Sequence, residues 1–261
     1  MTRSMWISAT GMMAQQLNID VIANNLANVN TTGFKKSRVD FEDLMYQKLS
    51  ITNNYYNADQ QGPPVQVGLG VRSTGVPKVY TGGSFQQTGN DLDLAIEGSG
   101  FLQVRLPDGT IGYTRAGILK KDGEGYISTP DGFLLEPTLQ IPNDAEEIFI
   151  SPEGKVSVSK AGSIANEEVG QIYLIDFPNP AGLESQGRNV LKETPVSGSP
   201  IESTPGLDGL GTIAQGYLEG SNVDIAEEMI KMIIAQRSYE INSKAIQTSD
   251  ELLSMTNNLK R

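Results

Sequence analysis

The last stretch of the chain, residues 222–259, contains neither glycine nor proline, and this predicts one long helix. Globular helices average about 11–12 residues, whereas this one is expected to form a rod of roughly 55 Å, since each helical residue adds about 1.5 Å. Ser221 and Asp224, three residues apart, fit a capping box at its start. Because helices gain most of their stability from packing, a helix of this length needs partners along its sides.

Two apolar rows run along this predicted helix. The first, which we call the heptad row, repeats every seven residues and consists of Met232, Tyr239, Ile246 and Leu253. The other, which we call the second row, advances in steps of three, four or seven and consists of Ile230, Ile234, Ile241, Ala245, Leu252, Met255 and Leu259. Burying one such large side chain contributes about 1.5–3 kcal/mol. Two rows therefore predict two kinds of partner, and the second row is expected to meet either the chain's own β-domain or another subunit.

Residues 5–30 predict a second helix at the opposite end of the chain. Its apolar residues have the spacing of a coiled-coil face, with a row at seven-residue intervals, which we call the N-terminal row, and two residues three positions further on: Met5, Met12, Ile19 and Leu26, then Ile22 and Val29. Gly33 suits the left-handed position past the end of a helix. An amphipathic helix usually packs on its own domain, but matching heptads at both chain ends more simply predict that the two helices pair.

The middle of the chain predicts β-structure. All 13 prolines lie between Pro63 and Pro205. Asp-Gly pairs, a strong hairpin signal, recur at residues 108–109, 122–123, 131–132 and 208–209. Candidate strands cover Leu92–Ile96, Phe101–Leu106, Ile148–Ile150, Val156–Val158 and Gln171–Phe177. Residues 50–64 are polar and rich in turn formers, and they predict an extended connector between the first helix and the β-structure.

These patterns predict an α+β fold that is mainly β. The N- and C-terminal helices are expected to pair into a discontinuous coiled-coil domain, with an antiparallel β-domain inserted between them. The expected divisions are a helical domain from residues 1–34 plus 220–261, a connector and hairpin at residues 35–75, and a β-rich outer domain at residues 76–219.

The composition excludes most catalytic chemistry. The chain has no histidine and no cysteine, which removes imidazole bases, thiolate nucleophiles and the usual zinc ligands. Its net charge of −11 argues against a nucleic-acid partner. Asp91 and Asp93 suggest a carboxylate pair or calcium ligands, but the EF-hand pattern is missing, and a solvated strand edge explains them at least as well. No catalytic residue, cofactor, metal site or small-molecule substrate is predicted.

Four stretches carry a resemblance to a known family. They are residues 23–35 (Ala-Asn-Asn-Leu-Ala-Asn-Val-Asn-Thr-Thr-Gly-Phe-Lys), residues 92–104 (Leu-Asp-Leu-Ala-Ile-Glu-Gly-Ser-Gly-Phe-Leu-Gln-Val), Tyr113-Thr114-Arg115 and residues 221–247. Through them the chain resembles the flagellar axial protein family of rod and hook subunits, over essentially its whole length. Residues 41–47 and 203–207, together with the chain length, are most similar to subunits of the distal part of the rod.

The resemblance implies a structural subunit of a hollow helical drive shaft that transmits torque from motor to hook. Implied partners are other copies of the chain, proximal rod subunits, hook subunits, the surrounding outer-membrane and peptidoglycan rings, and the flagellar type III export apparatus. The shaft would belong to the basal body and cross the periplasm. Polar residues such as Gln15 and Asp20 interrupt the first apolar region, so export without a cleaved signal peptide is expected. The segment at residues 46–64 would help to make the rod straight and stiff.

Residues of both terminal helices are the predicted subunit interface: Met12, Ile19, Leu26, Ile230, Ile234, Tyr239, Ile241, Ile246, Leu252 and Leu253. Three other interpretations remain open from the sequence. A proximal rod or hook subunit of the same family would share the motifs. A secreted β-rich adhesin or surface-layer protein would share the glycine-rich middle, although it has no need for heptads at both ends. A glycan-cleaving enzyme could use a carboxylate pair, but nothing marks two carboxylates as that pair.

Overall fold

The structure, a computed structural model, describes residues 2–49, 65–160 and 166–258. The chain divides into two compact units. One, the helical unit, draws on Met1–Leu26, Ser37–Pro77 and Ile225–Arg261, and the other, the β unit, on Ala27–Lys36 and Lys78–Asp224. The predicted α+β class is therefore observed. The division differs from the predicted one because residues 37–77 belong with the helices and residues 27–36 with the β unit.

Two helices dominate the helical unit, as predicted. α1 spans Thr2–Ala27 and α2 spans Ile225–Asn258. Gly33 has a φ of 69°, in the left-handed region expected past the end of α1. The predicted capping box at Ser221 is wrong, because α2 begins four residues later and the Ser221 hydroxyl instead accepts a hydrogen bond from the Val223 N–H at 3.3 Å. No helix in the described residues is long and apolar enough to cross a membrane.

The helical unit also contains a long antiparallel hairpin. Its strands are β1 (Asp40–Asp43), β2 (Tyr46–Leu49), β3 (Val65–Gly68) and β4 (Val71–Gly75), with β1 pairing β4 and β2 pairing β3. Backbone bonds from Leu44 N–H to Gly70 O at 2.9 Å and from Leu69 N–H to Met45 O at 3.2 Å connect the two ladders. The predicted connector at residues 50–64 lies outside the described residues.

Within its described residues, the β unit is built from sixteen short strands and one 3₁₀ turn, Pro180–Gly182. In chain order the strands are β5 (Phe85–Gln87), β6 (Leu94–Glu97), β7 (Leu102–Arg105), β8 (Ile111–Thr114), β9 (Lys120–Lys121), β10 (Ile127–Ser128), β11 (Leu134–Glu136), β12 (Ala145–Ile150), β13 (Lys155–Lys160), β14 (Glu167–Gln171), β15 (Leu174–Asp176), β16 (Glu184–Gly187), β17 (Val190–Lys192), β18 (Ile201–Ser203), β19 (Thr212–Gln215) and β20 (Tyr217–Glu219).

These strands form one large sheet and several small ones. The large sheet has the order β16-β17-β8-β7-β11-β10-β9, a three-stranded sheet has the order β12-β13-β14, and the pairs β15-β18, β19-β6 and β20-β5 complete the unit. All five predicted strand regions contain or overlap strands. The Asp-Gly pairs at residues 108–109, 122–123 and 131–132 lie in turns between antiparallel partners. The pair at 208–209 does not make a hairpin, because the strands that flank it pair with β15 and β6 instead.

The main core of the β unit lies between the sheets. It contains branched side chains from strands that are far apart in sequence. Successive side chains of a strand point to opposite faces of the sheet, so each strand contributes alternate residues to the core. Its most buried members are Val104, Leu135, Val156, Val158, Ile172 and Leu174. A second cluster is aromatic, with Phe177 at 4.8 Å from Tyr113 and 5.9 Å from Phe101 between ring centroids, both edge to face. The β unit therefore has a core of its own.

Candidate assembly surface

Contacts at several levels join the two terminal helices within the helical unit. The hydroxyls of Ser4 and Ser249 are 3.2 Å apart. Gly11 faces Asn242 so closely that a Cβ on the glycine would lie 3.0 Å from the amide nitrogen. The Asn25 amide nitrogen donates to the Glu228 carboxylate at 3.0 Å. From one contact to the next, the α1 residue advances by seven and then by fourteen positions, and the α2 residue goes back by the same numbers. The helices therefore run antiparallel in one register.

The α2 residues at these contacts form a row that the apolar pattern did not reveal. Glu228, Ala235, Asn242 and Ser249 repeat every seven residues, and three of them are buried. The heptad row lies beside them: Met232, Ile246 and Leu253 are half-buried and Tyr239 is exposed. A search for apolar periodicity misses this row because most of its members are polar or small.

On α1 the contacting row is also polar and small. Ser4, Gly11 and Asn25 each lie one residue before a member of the predicted N-terminal row. The predicted interface residues Met12, Ile19 and Leu26, with Met5, are half-buried, and Ile22 is buried. A helix places residues one apart about 100° around its axis, so the N-terminal row lies to the side of the contact with α2 and is only partly covered.

The second row of α2 is uncovered. Its described large side chains, Ile230, Ile234, Ile241, Leu252 and Met255, are between 45% and 67% exposed. Ala245 is exposed as well, and Leu259 lies outside the described residues. Ile225, Met229 and Ile233 widen the same exposed surface. Of the two partners considered for the second row, another subunit is the one that its exposure favours, since an apolar surface of this extent is typical of an interaction site.

A buried polar network holds the base of the helix pair. The Asn25 side chain donates to Ser37 O at 2.8 Å and accepts from Ser37 N–H at 2.9 Å, in addition to its bond to Glu228. The Lys231 ammonium lies 2.9 Å from the Glu228 carboxylate. These bonds connect α1, the segment that enters the hairpin, and α2. Because buried polar groups cost free energy unless they are bonded, the network disfavours a shifted register.

The hairpin lies against α1 near its first turns. The Val71 N–H donates to the Thr10 hydroxyl at 3.4 Å. Gly70 has a φ of 122°, and a Cβ there would lie 2.2 Å from the same hydroxyl, so the close approach requires glycine. The hairpin also exposes Phe41, Met45 and Tyr46 to solvent. The exposed apolar surface of the helical unit is thus not confined to α2.

The carboxylates considered as a ligand or acid–base pair are not arranged as one. Asp93 is buried and accepts a hydrogen bond from the Asn90 amide at 3.0 Å, whereas Asp91 is exposed. The interpretation of both as residues of a solvated strand edge is wrong, because β6 begins only at Leu94 and both aspartates precede it. In the part of the chain that the structure describes, no group of three or more acidic side chains is placed to hold a metal ion.

Three family models match successive parts of the chain. The model described as flagella basal body rod protein matches residues 5–35, and the flagellar hook protein FlgE/F/G D1 domain matches residues 95–158. The model of the flagellar basal body rod FlgEFG protein C-terminal matches residues 214–259. The first and third matches cover most of α1 and α2.

Curated relatives are similar over the full length of the chain. The flagellar basal-body rod protein FlgG of Buchnera aphidicola subsp. Acyrthosiphon pisum is 48% identical over 254 residues, which are 97% of this chain and 98% of that protein. The protein of the same name in Borreliella burgdorferi is 48% identical over 264 residues, and that in Bacillus subtilis is 40% identical over 266 residues. Both of these alignments cover 100% of each chain.

Proposed function

The chain belongs to the flagellar basal-body rod protein family and is a structural subunit of the rod; from this premise we propose that it polymerises into the distal part, a hollow helical shaft that transmits torque from motor to hook. The distal position is supported by the full-length similarity to proteins named FlgG. The interpretation as an adhesin or surface-layer protein has no support among the relatives. A proximal rod or hook subunit is the alternative within the family.

We propose that α1 and α2 act as one discontinuous coiled-coil domain. The support is the matched spacing of the contacts Ser4–Ser249, Gly11–Asn242 and Asn25–Glu228. Heptad spacing on both helices is the sequence requirement for such a pair. Its interior is unusual in being small and polar, so the pair is stabilised less by hydrophobic burial than a leucine-rich coiled coil would be.

The exposed second row is the proposed contact with other copies of the chain, and its exposure is the observation that carries the assembly proposal. α1 contacts the polar row of α2, and Ile234, Ile241 and Leu252 remain exposed. Burying each such side chain in a neighbour contributes about 1.5–3 kcal/mol. In a helical polymer every subunit repeats this contact. The free energy of burial therefore adds up over many subunits, and the summed contacts resist torque along the shaft.

The remaining partners follow from the position in the rod. We propose proximal rod subunits below, hook subunits above, and the outer-membrane and peptidoglycan rings around the shaft, with export by the flagellar type III apparatus and no cleaved signal peptide. The shaft would cross the periplasm. The segment of residues 46–64 is proposed to stiffen the rod, since β2 and β3 form a hairpin that leads into residues 50–64.

Substitution of Ile241 or Leu252 by aspartate tests the assembly proposal. In a strain that lacks its own rod subunit, Ile241→Asp and Leu252→Asp should abolish rod assembly and motility, while the purified proteins retain the β-rich circular dichroism of the β unit. Gln247→Asp is the matched control, because it adds the same charge at an exposed α2 position outside the second row. Normal motility in both row variants would contradict the proposal.

A further inference from the structure

A carboxylate in the β unit is completely buried between two cations. Glu219 is 0% exposed, and its two oxygens lie 2.6 Å from Lys35 Nζ and 2.6 Å from Arg115 Nε. The Gly83 N–H donates to the same carboxylate at 3.0 Å. Both cations are also buried, at 3% and 4% exposure. Removing one partner from such a group leaves a buried charge uncompensated, which costs far more than the loss of a surface ion pair.

The two cations also bind backbone carbonyls of separate segments. Lys35 Nζ donates to Thr81 O at 2.6 Å. Arg115 donates to Gly100 O at 3.0 Å and also to the carbonyl of Gly98. Burial disfavours the charged form of Glu219, but the neighbouring Arg115 and Lys35 and the Gly83 N–H outweigh it and keep its pKa below the ordinary value. The carboxylate therefore stays ionised and bonded at neutral pH.

An asparagine beside this cluster joins the same segments. The Asn222 side chain accepts from the Lys36 N–H at 2.8 Å and donates to Val79 O at 2.8 Å. The Val79 N–H in turn donates to Lys36 O at 2.8 Å. Residues 33–36, 79–83 and 219–222 are thus bonded side by side inside the β unit. We call Lys35, Arg115, Glu219 and Asn222 the neck clamp.

These three segments lie near three of the four points where the chain enters or leaves the β unit. The boundaries with the helical unit fall directly before Ala27, directly after Lys36, directly before Lys78 and directly after Asp224, and the three segments adjoin the last three of them. Near the last of these, β20 pairs with β5 over three residues. A two-stranded ladder of that length is marginally stable by itself, so tension at residue 220 would separate it readily if nothing else held Glu219.

We propose that the neck clamp carries force. It holds the three segments together, so that tension arriving from the chain termini acts on buried ion pairs and hydrogen bonds and does not peel β20 from β5. The inference rests on the proposed function as a torque-transmitting subunit. Glu219 is the last residue of β20, which places its anchored side chain at the point where the tension arrives. Lys35 holds the segment that follows the entry of the chain at Ala27, and Arg115 holds Glu219 against the carbonyls of Gly98 and Gly100.

Single-molecule pulling of the full chain from its two termini tests this role, because the force then enters the β unit at Ala27 and Asp224 and reaches the clamp through residues 33–36 and 219–222. In Glu219→Gln we expect the unfolding rate of the β unit at constant force to rise at least about tenfold, the factor that corresponds to about 1.4 kcal/mol. Asn222→Ala, which introduces no uncompensated charge, should change the rate in the same direction. Glu167→Gln removes the exposed ion pair with Lys160 and should leave the rate unchanged.

A second pulling direction separates force bearing from general stabilisation. With handles at cysteines replacing Asp131 and Glu153, in the turns between β10 and β11 and between β12 and β13, the stretch of chain under load contains no clamp residue. We expect Glu219→Gln and Asn222→Ala to resemble the parent in this geometry. An equal loss in both geometries, or no loss when the termini are pulled, would overturn the proposal. Since no rod is needed for the measurement, its failure is distinct from a failure of the assembly proposal.

Discussion

The side chains of Asn25 and Glu228 meet across the two terminal helices at 3.0 Å, and each is 1% exposed. A buried asparagine–carboxylate contact between helices contributes less to stability than apolar packing, but it is satisfied in one register only. The helix pair thus relies on polar contacts, and the isoleucines of the second row remain exposed. This division is the physical basis of the assembly account.

Loss of the Asn25 amide should weaken the helix pair. Asn25→Ala removes the bonds to Ser37 and deprives the buried Glu228 of one partner, which we expect to cost about 1–3 kcal/mol. The measurement is the denaturant midpoint of the helical circular dichroism signal. Gln16→Ala, at an exposed position of α1, is the control and should leave the midpoint nearly unchanged. An equal response of the two variants would argue against a structural role for the network.

The close approach at Gly11 should depend on the absence of a side chain. Because the chain contains no cysteine, a disulfide between Ser4→Cys and Ser249→Cys reports the helix pairing without interference. Overpacking costs about 1–3 kcal/mol. A cost of about 1.4 kcal/mol to the paired state of the helices corresponds to a factor of ten, so adding Gly11→Val should slow disulfide formation by about tenfold. Adding Asn242→Ala to Gly11→Val should restore much of the rate, whereas no rescue would show that the contact with Asn242 does not set the spacing.

Acid should destabilise the β unit through Glu219. The folded-state pKa of this carboxyl is lowered from 4.5, because Arg115 and Lys35 outweigh the effect of burial. The folded protein then binds fewer protons than the unfolded chain, so the stabilisation is present above pH 4.5 and is lost as the pH falls through the folded pKa. Urea unfolding across this range should show a shallower pH dependence in Glu219→Gln than in the parent. An unchanged slope would exclude Glu219 as the titrating group.

The connector should affect the rod more than the fold. Leu49 pairs with Val65 across the hairpin, so the two ends of the connector are already adjacent. Deletion of residues 53–63 leaves residues 50–52 and 64, which is within the length range of a hairpin turn, about two to five residues. We expect normal unfolding of the β unit but altered curvature or flexibility of the hook-basal body in electron micrographs. A hook-basal body of unchanged shape would count against a stiffening role.

The sequence predicted the elements of this fold better than their contacts. Absence of glycine and proline located α2, and Asp-Gly pairs located three of the turns, because these are local signals that tertiary structure did not override. The heptad row was visible for the same reason. The contacting row escaped notice because Glu228 and Asn242 look like solvent-facing residues until the partner helix is in place.

The neck clamp could not be predicted from the sequence at all. Lys35, Arg115 and Glu219 are widely separated along the chain, and each is an ordinary charged residue in its local context. Only the register of β20 with β5 and the path of the chain after α1 bring the three together. Asp93 was expected to be exposed to solvent, but it is buried in a turn, where its carboxylate accepts a hydrogen bond from the Asn90 amide.

Labelling of a cysteine in the second row tests the central claim most directly. The Cys-free chain with Ile234→Cys should react readily with a maleimide as a monomer, because this side chain is exposed, and should be protected in purified rods. Asp131→Cys, in an exposed turn of the β unit, serves as the reference for access to the rod surface. The account predicts that the ratio of Ile234→Cys to Asp131→Cys labelling falls strongly on assembly. A ratio that is the same in monomers and in rods would contradict burial of the second row between subunits.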